Sequence, residues 1–314
     1  MENVKKLLGN DLFWKLKFFK ERVVKNIVKG VNGLGLNIFP TKNFYSPLPL
    51  IGSVERHKDR WCKPSALEGL TIDLQKNEQL LGELVDSYMA EYQTITPFDE
   101  AKTLGFGPGY SYVDSITTYS MLRKIQPKTY LEVGSGLSTF YASKALAKNA
   151  KNSKIICVEP YPYAKLNEIG NIHIIQKEVQ SLQPEYFDSL EENDVLFIDS
   201  THIVKIDGDV PFLFLDVLPR LKKGVYIHIH DIHFPYNIPY PPEFWVFKRG
   251  FPMYWTEAML LQAFLAFNDH FEILLSTPLI RFHNEDLLKN KIPNYVGVNG
   301  EPNTFSSLWI KKVK

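Results

Sequence analysis

Four of the chain's eight histidines, His202, His228, His230 and His233, fall within a span of 32 residues that also holds Asp231, with Asp199 just ahead of it. Imidazoles and carboxylates at this density are the groups that move protons near neutral pH and hold divalent cations. In the stretch IHIHD (227–231) alternate side chains share one face of a strand, so His228 and His230 point the same way. His228 sits deeper and reads as a hydrogen-bonded core residue, whereas His230 lies nearer the strand's carboxyl end and reads as a catalytic group or ligand. His202, three residues past Asp199, carries an imidazole of the kind that serves as a general base near neutral pH. A plainer role, capping the helix that follows, stays open for it.

A second constellation is the turn Glu132-Val133-Gly134-Ser135-Gly136-Leu137-Ser138-Thr139. Gly134 and Gly136 permit a tight strand-to-helix turn with no Cβ in the way of a ligand. Glu132 ends an otherwise apolar strand, and a carboxylate there needs a cationic or donor partner such as the amino group of an aminoacyl ligand. Glu159, about two dozen residues after the glycines, is placed to take both hydroxyls of a ribose. The third glycine of a dinucleotide fingerprint is replaced by Thr139, and no P-loop lysine follows. These features favour a nucleoside without phosphate, namely S-adenosylmethionine.

The elements that must position these groups are short. Apolar runs rich in Val and Ile occur at 129–133, 154–158, 171–175, 194–198 and 224–230, as expected of strands buried on both faces. Helical stretches separate them at about 137–149, 161–168, 183–190 and 208–220. A helix at about 255–268 and two further strands, EILLS and SSLWIKKV, close the chain. The alternation predicts a doubly wound, Rossmann-like α/β sheet, mostly parallel with an antiparallel last strand and an N-terminal helical extension. Upstream, residues 1–29 predict a basic amphipathic helix striped by Leu8, Leu12, Leu16, Phe19, Val23 and Ile27. Residues 30–70 read as loop, 73–93 as a helix, and ITTYSMLRKI as a helix ending before Pro127. The expected organisation is an N-terminal helix and linker (1–42), a helical cap or substrate segment (43–126) and a cofactor-binding domain (127–314).

The stretches YLEVGSGLSTFYASKAL, VEPYP, LFIDSTHIVKIDGDV and GVYIHIHDIHFPYNIP resemble class I S-adenosylmethionine-dependent methyltransferases. They are more narrowly similar to a bacterial branch with FIDSSH- and HIHDIF-type motifs and an upstream FYSP segment; NFYSPLPL and WTEAMLLQAFLAFN share that likeness. The resemblance implies that Glu132, Gly134, Ser135, Gly136 and Ser138 surround the methionine part of the cofactor. It places Glu159 on the ribose, Pro160 and Tyr161 beside the adenine, and Val179 and Gln180 at the adenine edge. Asp199 faces the methionine amino group or a metal. Catechol-type relatives carry a lysine base where His202 stands, and they bind magnesium through an Asp after the fourth strand and an Asp-Asn pair after the fifth. Asp199 and Asp231 match that pattern, but Ile232 replaces the Asn; His230 or His233 could stand in for it, with Asp199, His230 and Asp231 the favoured metal-ligating set, and the magnesium chemistry does not carry over as it stands.

Acceptor specificity is expected from FYSPLPL, FGPGYSY and the aromatic- and proline-rich stretch after the fifth strand. Tyr45, Tyr110, His233, Tyr236, Trp255 and Glu257 are the substrate-side candidates, facing a small-molecule acceptor. The reading is O-methylation of a sugar or secondary metabolite, with His202 as base and Asp199, His230 and Asp231 supporting it. N-methylation, a His/Asp iron site for oxidation and a non-catalytic nucleoside-binding module remain alternatives. With 36 Lys+Arg against 35 Asp+Glu the chain has a formal charge of +1, which argues against a nucleic-acid partner. Two isolated cysteines exclude a disulfide scaffold, and no secretory leader opens the chain, so a cytoplasmic location is expected. The basic helix offers a route to a membrane surface or to a homodimer.

Overall fold

A computed structural model describes residues 10–39, 44–150, 152–248, 250–297 and 305–314. The chain divides into two units, Met1–Trp61 and Cys62–Lys314. The division falls inside the segment expected at 43–126.

In the first unit, helix α1 spans Asn10–Asn32. Its stripe of Leu12, Leu16, Phe19, Val23 and Ile27 is exposed, and Leu8 lies outside the described residues. The region read as loop contains two short helices, Ile51–Arg56 and Lys58–Trp61. The indole of Trp61 reaches back to donate to the Val54 carbonyl at 2.8 Å, which folds that region on itself where Gly and Pro content suggested none. Among the described residues no helix is long and apolar enough to cross a membrane.

The second unit is built on one seven-stranded sheet in the order β3-β2-β1-β4-β5-β7-β6. The strands are β1 (Thr129–Val133), β2 (Lys154–Val158), β3 (Ile172–Ile175), β4 (Val195–Ile198), β5 (Tyr226–Ile229), β6 (Phe271–Ser276) and β7 (Leu308–Lys312). The first five run parallel, and β7 is antiparallel to both β5 and β6. The Rossmann-like sheet with an antiparallel last strand is therefore present. Because strand side chains alternate, the sheet feeds two apolar layers. Tyr130, Cys157, Phe197 and Trp309 pack under helices α2 (Leu74–Tyr92), α3 (Tyr112–Ile125), α4 (Leu137–Ala147) and α6 (Thr277–Lys291). Leu131, Leu196, Ile227 and Ile310 pack under α5 (Glu257–Leu265) and a helical segment from Asp209 to Arg220.

The helices expected at 161–168 and 183–190 are single 3₁₀ segments, Ala164–Glu168 and Pro184–Ser189. Both are too short to cross the sheet as full helices. The segment from Asp209 carries Pro211 and Pro219, which interrupt the regular ladder, and it relaxes into a wider π-type turn between them. Helix α6 was not anticipated; Ser276 caps it and Pro278 occupies its first turn.

Leu196 is fully buried at the centre of β4, between β1 and β5. Leu196→Ala should cost about 3 kcal/mol in urea unfolding; a cost below about 1 kcal/mol would contradict a close-packed layer at that point.

Candidate active site

The carboxyl ends of β1, β4 and β5 meet at one rim, and the parallel register fixes how. Asp199 N donates to the Val133 carbonyl, His230 N donates to the Ile198 carbonyl, and Gly134 N donates to the Val158 carbonyl. Gly134 has φ +94°, and a Cβ there would come within 2.2 Å of the Asp199 carbonyl oxygen. Only glycine lets the β1 turn close against the end of β4. Gly136 is closed over on its other side by the Phe106 carbonyl, 3.0 Å from where a Cβ would stand. The FGPGYSY segment thus covers the glycine turn.

Around that turn Glu132 is fully buried and accepts a bond from the Ser138 hydroxyl on the first turn of α4. Burial pushes its pKa up to about 8. Ser135 Oγ is buried with no partner, so the turn retains an unused hydroxyl. Glu159 follows β2, half-buried, and accepts from Tyr161 N at 2.8 Å; Pro160 lies beside it, and the Tyr161 ring is exposed. Val179 faces the apolar layer, and Gln180 donates to Glu178 and to the Asp207 carbonyl.

The histidine cluster lies across the ends of β4 and β5. His202 is 6% exposed; its Nδ1 is 2.7 Å from Glu257 Oε2, which makes Nδ1 the N–H donor. Its Nε2 looks out between Asp199 Oδ1 and Asp231 Oδ2, at 3.4 Å from each. Trp255 stacks obliquely on the imidazole at 4.3 Å between ring centres. The amides of Thr256 and Glu257 both donate to the His202 carbonyl, so the first turn of α5 grips the loop by backbone as well as side chain. His230 is oriented from the opposite side. Its Nε2 donates to Asp114 Oδ2 at 3.2 Å, which turns Nδ1 toward Asp199 Oδ2 (3.5 Å) and Asp231 Oδ1 (3.6 Å). Those last separations exceed a hydrogen bond, and His230 Nδ1 has no partner. Asp199, His230 and Asp231 offer ligand atoms that all lie within 4.8 Å of one another. The two aspartates are the part of the cluster that opens outward, with side chains 27% and 21% exposed.

The charges are strongly coupled. Burial opposes a proton on His202, but Asp199, Glu257 and Asp231 outweigh it and hold the imidazole well above its ordinary range. His230 is held up in the same way by Asp199, Asp231 and Asp114. Burial works against the Asp199 carboxylate too, yet His230 and His202 keep it ionised well below the usual range. Asp231 and Glu257 are raised by burial. The backbone is strained in the same place, since His202 (φ +61°) and Asp231 (φ +58°) both adopt the left-handed conformation that few non-glycine residues take.

Two residues of the cluster carry roles that the sequence did not reveal. Asp114 is fully buried on α3 and accepts from Ser111 Oγ, Ser306 N and Ser307 Oγ as well as from His230. Its one local signal is the Ser111-x-x-Asp114 spacing of a helix cap. Glu257, placed among the substrate-side groups, is fully buried with one oxygen committed to His202. His228 stacks on Trp309 at 4.2 Å and bonds Ser307. Tyr110 is buried, bonded to Thr118 and packed on His230. His233 lies 3.9 Å from Asp231, and Tyr236 stands further along the same loop against Tyr240. Tyr45 belongs to the first unit, where it packs edge-on against Phe44.

Residues 131–232, which hold every element of this rim from the glycine turn to Asp231, match the family model of a methyltransferase domain. The chain belongs to one family with an uncharacterized protein of Archaeoglobus fulgidus, 31% identical over 167 residues that cover 50% of this chain and 75% of the relative. Among solved structures it is similar to an O-methyltransferase of Bacillus cereus in complex with SAH (14% identity, TM-score 0.46, 73% of this chain and 97% of that one). It is also similar to a SAH-bound methyltransferase of Podospora anserina (15% identity, TM-score 0.41, 86% and 99%).

Gly134→Ala should lower the melting temperature by about 5 °C or more, because the added methyl must displace the Asp199 carbonyl and the residue must keep its positive φ. An unchanged melting temperature would contradict the closure described for this turn.

Proposed function

We propose that this chain transfers a methyl group from S-adenosylmethionine to a hydroxyl of a small molecule, a sugar or secondary metabolite, with His202 as general base. The observation that carries the reading is the His202–Glu257 pair, which aims an imidazole nitrogen between two outward-facing aspartates beside the glycine turn. A buried carboxylate fixes the tautomer and angle of the ring, and the opposite nitrogen is left to meet the acceptor. On the donor side, the glycine turn with Ser135, Ser138 and Glu132 would hold the methionine part. Glu159 would hold the ribose, with Pro160, Tyr161, Val179 and Gln180 around the adenine. The unpartnered Ser135 hydroxyl supports a fit for a polar ligand there. When bound, the sulfonium supplies an electrophilic methyl. The protein's task is alignment of the acceptor oxygen and removal of its proton.

Asp199, His230 and Asp231 would hold a divalent cation. Ligand atoms about 2.1 Å from one ion lie about 3.0–3.5 Å apart, close to the separations around His230 Nδ1. Asp114 behind His230 is the orienting carboxylate such a ligand needs. A cation there would supply positive charge beside the reacting oxygen and would offset Asp199 and Asp231, two of the three carboxylates that favour a proton on His202. Imidazole among the ligands favours zinc, iron or manganese over magnesium.

His202→Ala should reduce methyl transfer to a hydroxyl acceptor, screened among phenolic acids and sugar phosphates, at least about 100-fold, with the product followed by mass, while leaving SAH affinity within about threefold. Full turnover in the variant would sink the base assignment. Asp114→Asn should weaken Mn²⁺ or Zn²⁺ binding to chelator-stripped protein about 10- to 100-fold by calorimetry. Wild-type affinity in that variant, or no metal binding in either protein, would remove the cation from the account.

A further inference from the structure

A cationic group that the proposed chemistry does not use lies on α6, within electrostatic reach of Asp114 and His233. Arg281, on α6, has its guanidinium carbon 4.7 Å from the Tyr240 ring centre and 4.9 Å from that of Phe305. Aromatic faces stabilise the charge but cannot accept the in-plane N–H groups, whose edge is left for a planar oxyanion. Arg281 Nη1 is buried without a hydrogen-bond partner. Among the described residues Arg281 has no ion pair; Glu285, one turn along the same helix, is engaged by the Tyr295 hydroxyl at 3.0 Å and by Lys289 at 3.3 Å. Glu285 and Asp114 offset the buried charge only through space, and the unpartnered Nη1 leaves a buried donor that an oxyanion would satisfy.

His233 shares this position. It is 2% exposed, and neither ring nitrogen has a hydrogen-bond partner. It begins the loop that carries Tyr240, and Phe305 precedes Ser306, whose hydroxyl donates to Asp231 Oδ1 at 2.9 Å. Asp231 therefore stands between two imidazoles: Oδ2 is 3.4 Å from His202 Nε2, and Oδ1 is 3.9 Å from His233 Nε2. The Arg281 charge acts on His233, and an imidazole buried with both nitrogens unpartnered has an N–H to offer.

We infer that Arg281 and His233 form an oxyanion subsite for the acceptor, which is a small hydroxy acid carrying a carboxylate or phosphate near the hydroxyl presented to His202. The inference rests on the methyl-transfer reading for the identity of the bound molecule, but the subsite itself is tested separately. Neutral sugars and simple phenols leave the guanidinium unmatched and are poor acceptors.

The test is calorimetric titration of SAH-saturated protein with benzoate and, separately, with inorganic phosphate. Saturable binding of benzoate marks a carboxylate acceptor, and saturable binding of phosphate marks a phosphorylated one. Arg281→Gln should weaken whichever binds at least about tenfold, while Arg281→Lys, which controls for folding and keeps the charge but not the planar fork, should recover only part of it. If neither anion binds the wild-type protein, or if Arg281→Gln binds as well as wild type, the subsite does not exist. SAH affinity, read in the same samples, reports on the cofactor alone. Should SAH fail to bind, the donor assignment falls, and the anion comparison on unliganded protein still decides the subsite.

Discussion

The structure depends on one electrostatic constraint, the removal from water of several like charges at the ends of β4 and β5. Asp114, Asp199, Asp231 and Glu257 surround two imidazoles, His202 and His230. Even with both rings protonated, four carboxylates against two imidazolium groups leave an excess of two negative charges in a poorly solvated place. Desolvating charge at this density is tolerated only where hydrogen bonds and counter-charges are supplied from several directions. The fold meets that need from elements distant in sequence: Ser111 and Asp114 from α3, Glu257 from α5, and Ser306 and Ser307 from the approach to β7.

This arrangement also accounts for the backbone around it. His202 and Asp231 hold positive φ, and the His202 carbonyl accepts two amides at the start of α5. Strain of this kind persists where surrounding contacts over-determine it, and it aims side chains that a regular strand end would direct elsewhere. The antiparallel β7 has a matching role. By inserting between β5 and β6 it delivers Ser306 and Ser307 to Asp231 and Asp114, while His228 stacks on its Trp309 and closes the layer beneath.

Much of this was legible in the sequence where the cause is local. Strand β4 shows as a run of apolar residues because both its faces are covered, and the Gly134 turn shows because only glycine fits its φ. The clustering of His202, His230, Asp199 and Asp231 follows from parallel strands ending at a common edge. Partnerships were not legible. Asp114 is 116 residues from His230, and nothing in YSYVDS distinguishes a cap residue from a buried hub. Glu257 resembles any first-turn helix acid until α5 is docked on the His202 loop. Helix α6 was missed because its sequence, TPLIRFHNEDLLKNK, is polar on average and its non-helical Asn284 breaks the period. Arg281 went unnoticed with it.

The central claim is that the rim formed by the glycine turn and the end of β2 binds a methyl-donor nucleoside beside the charged cluster. It is tested most directly by calorimetric titration with SAH of the wild-type protein and of Glu159→Ala. Glu159 is half-buried, accepts from Tyr161 N and meets Asp199 only as like-charge repulsion, so its loss should leave the fold intact. The account predicts saturable one-to-one binding to the wild type that falls at least about tenfold in the variant, in line with a lost charge-assisted hydrogen-bond pair. Equal affinity in the two proteins, or no binding to the wild type, would contradict it.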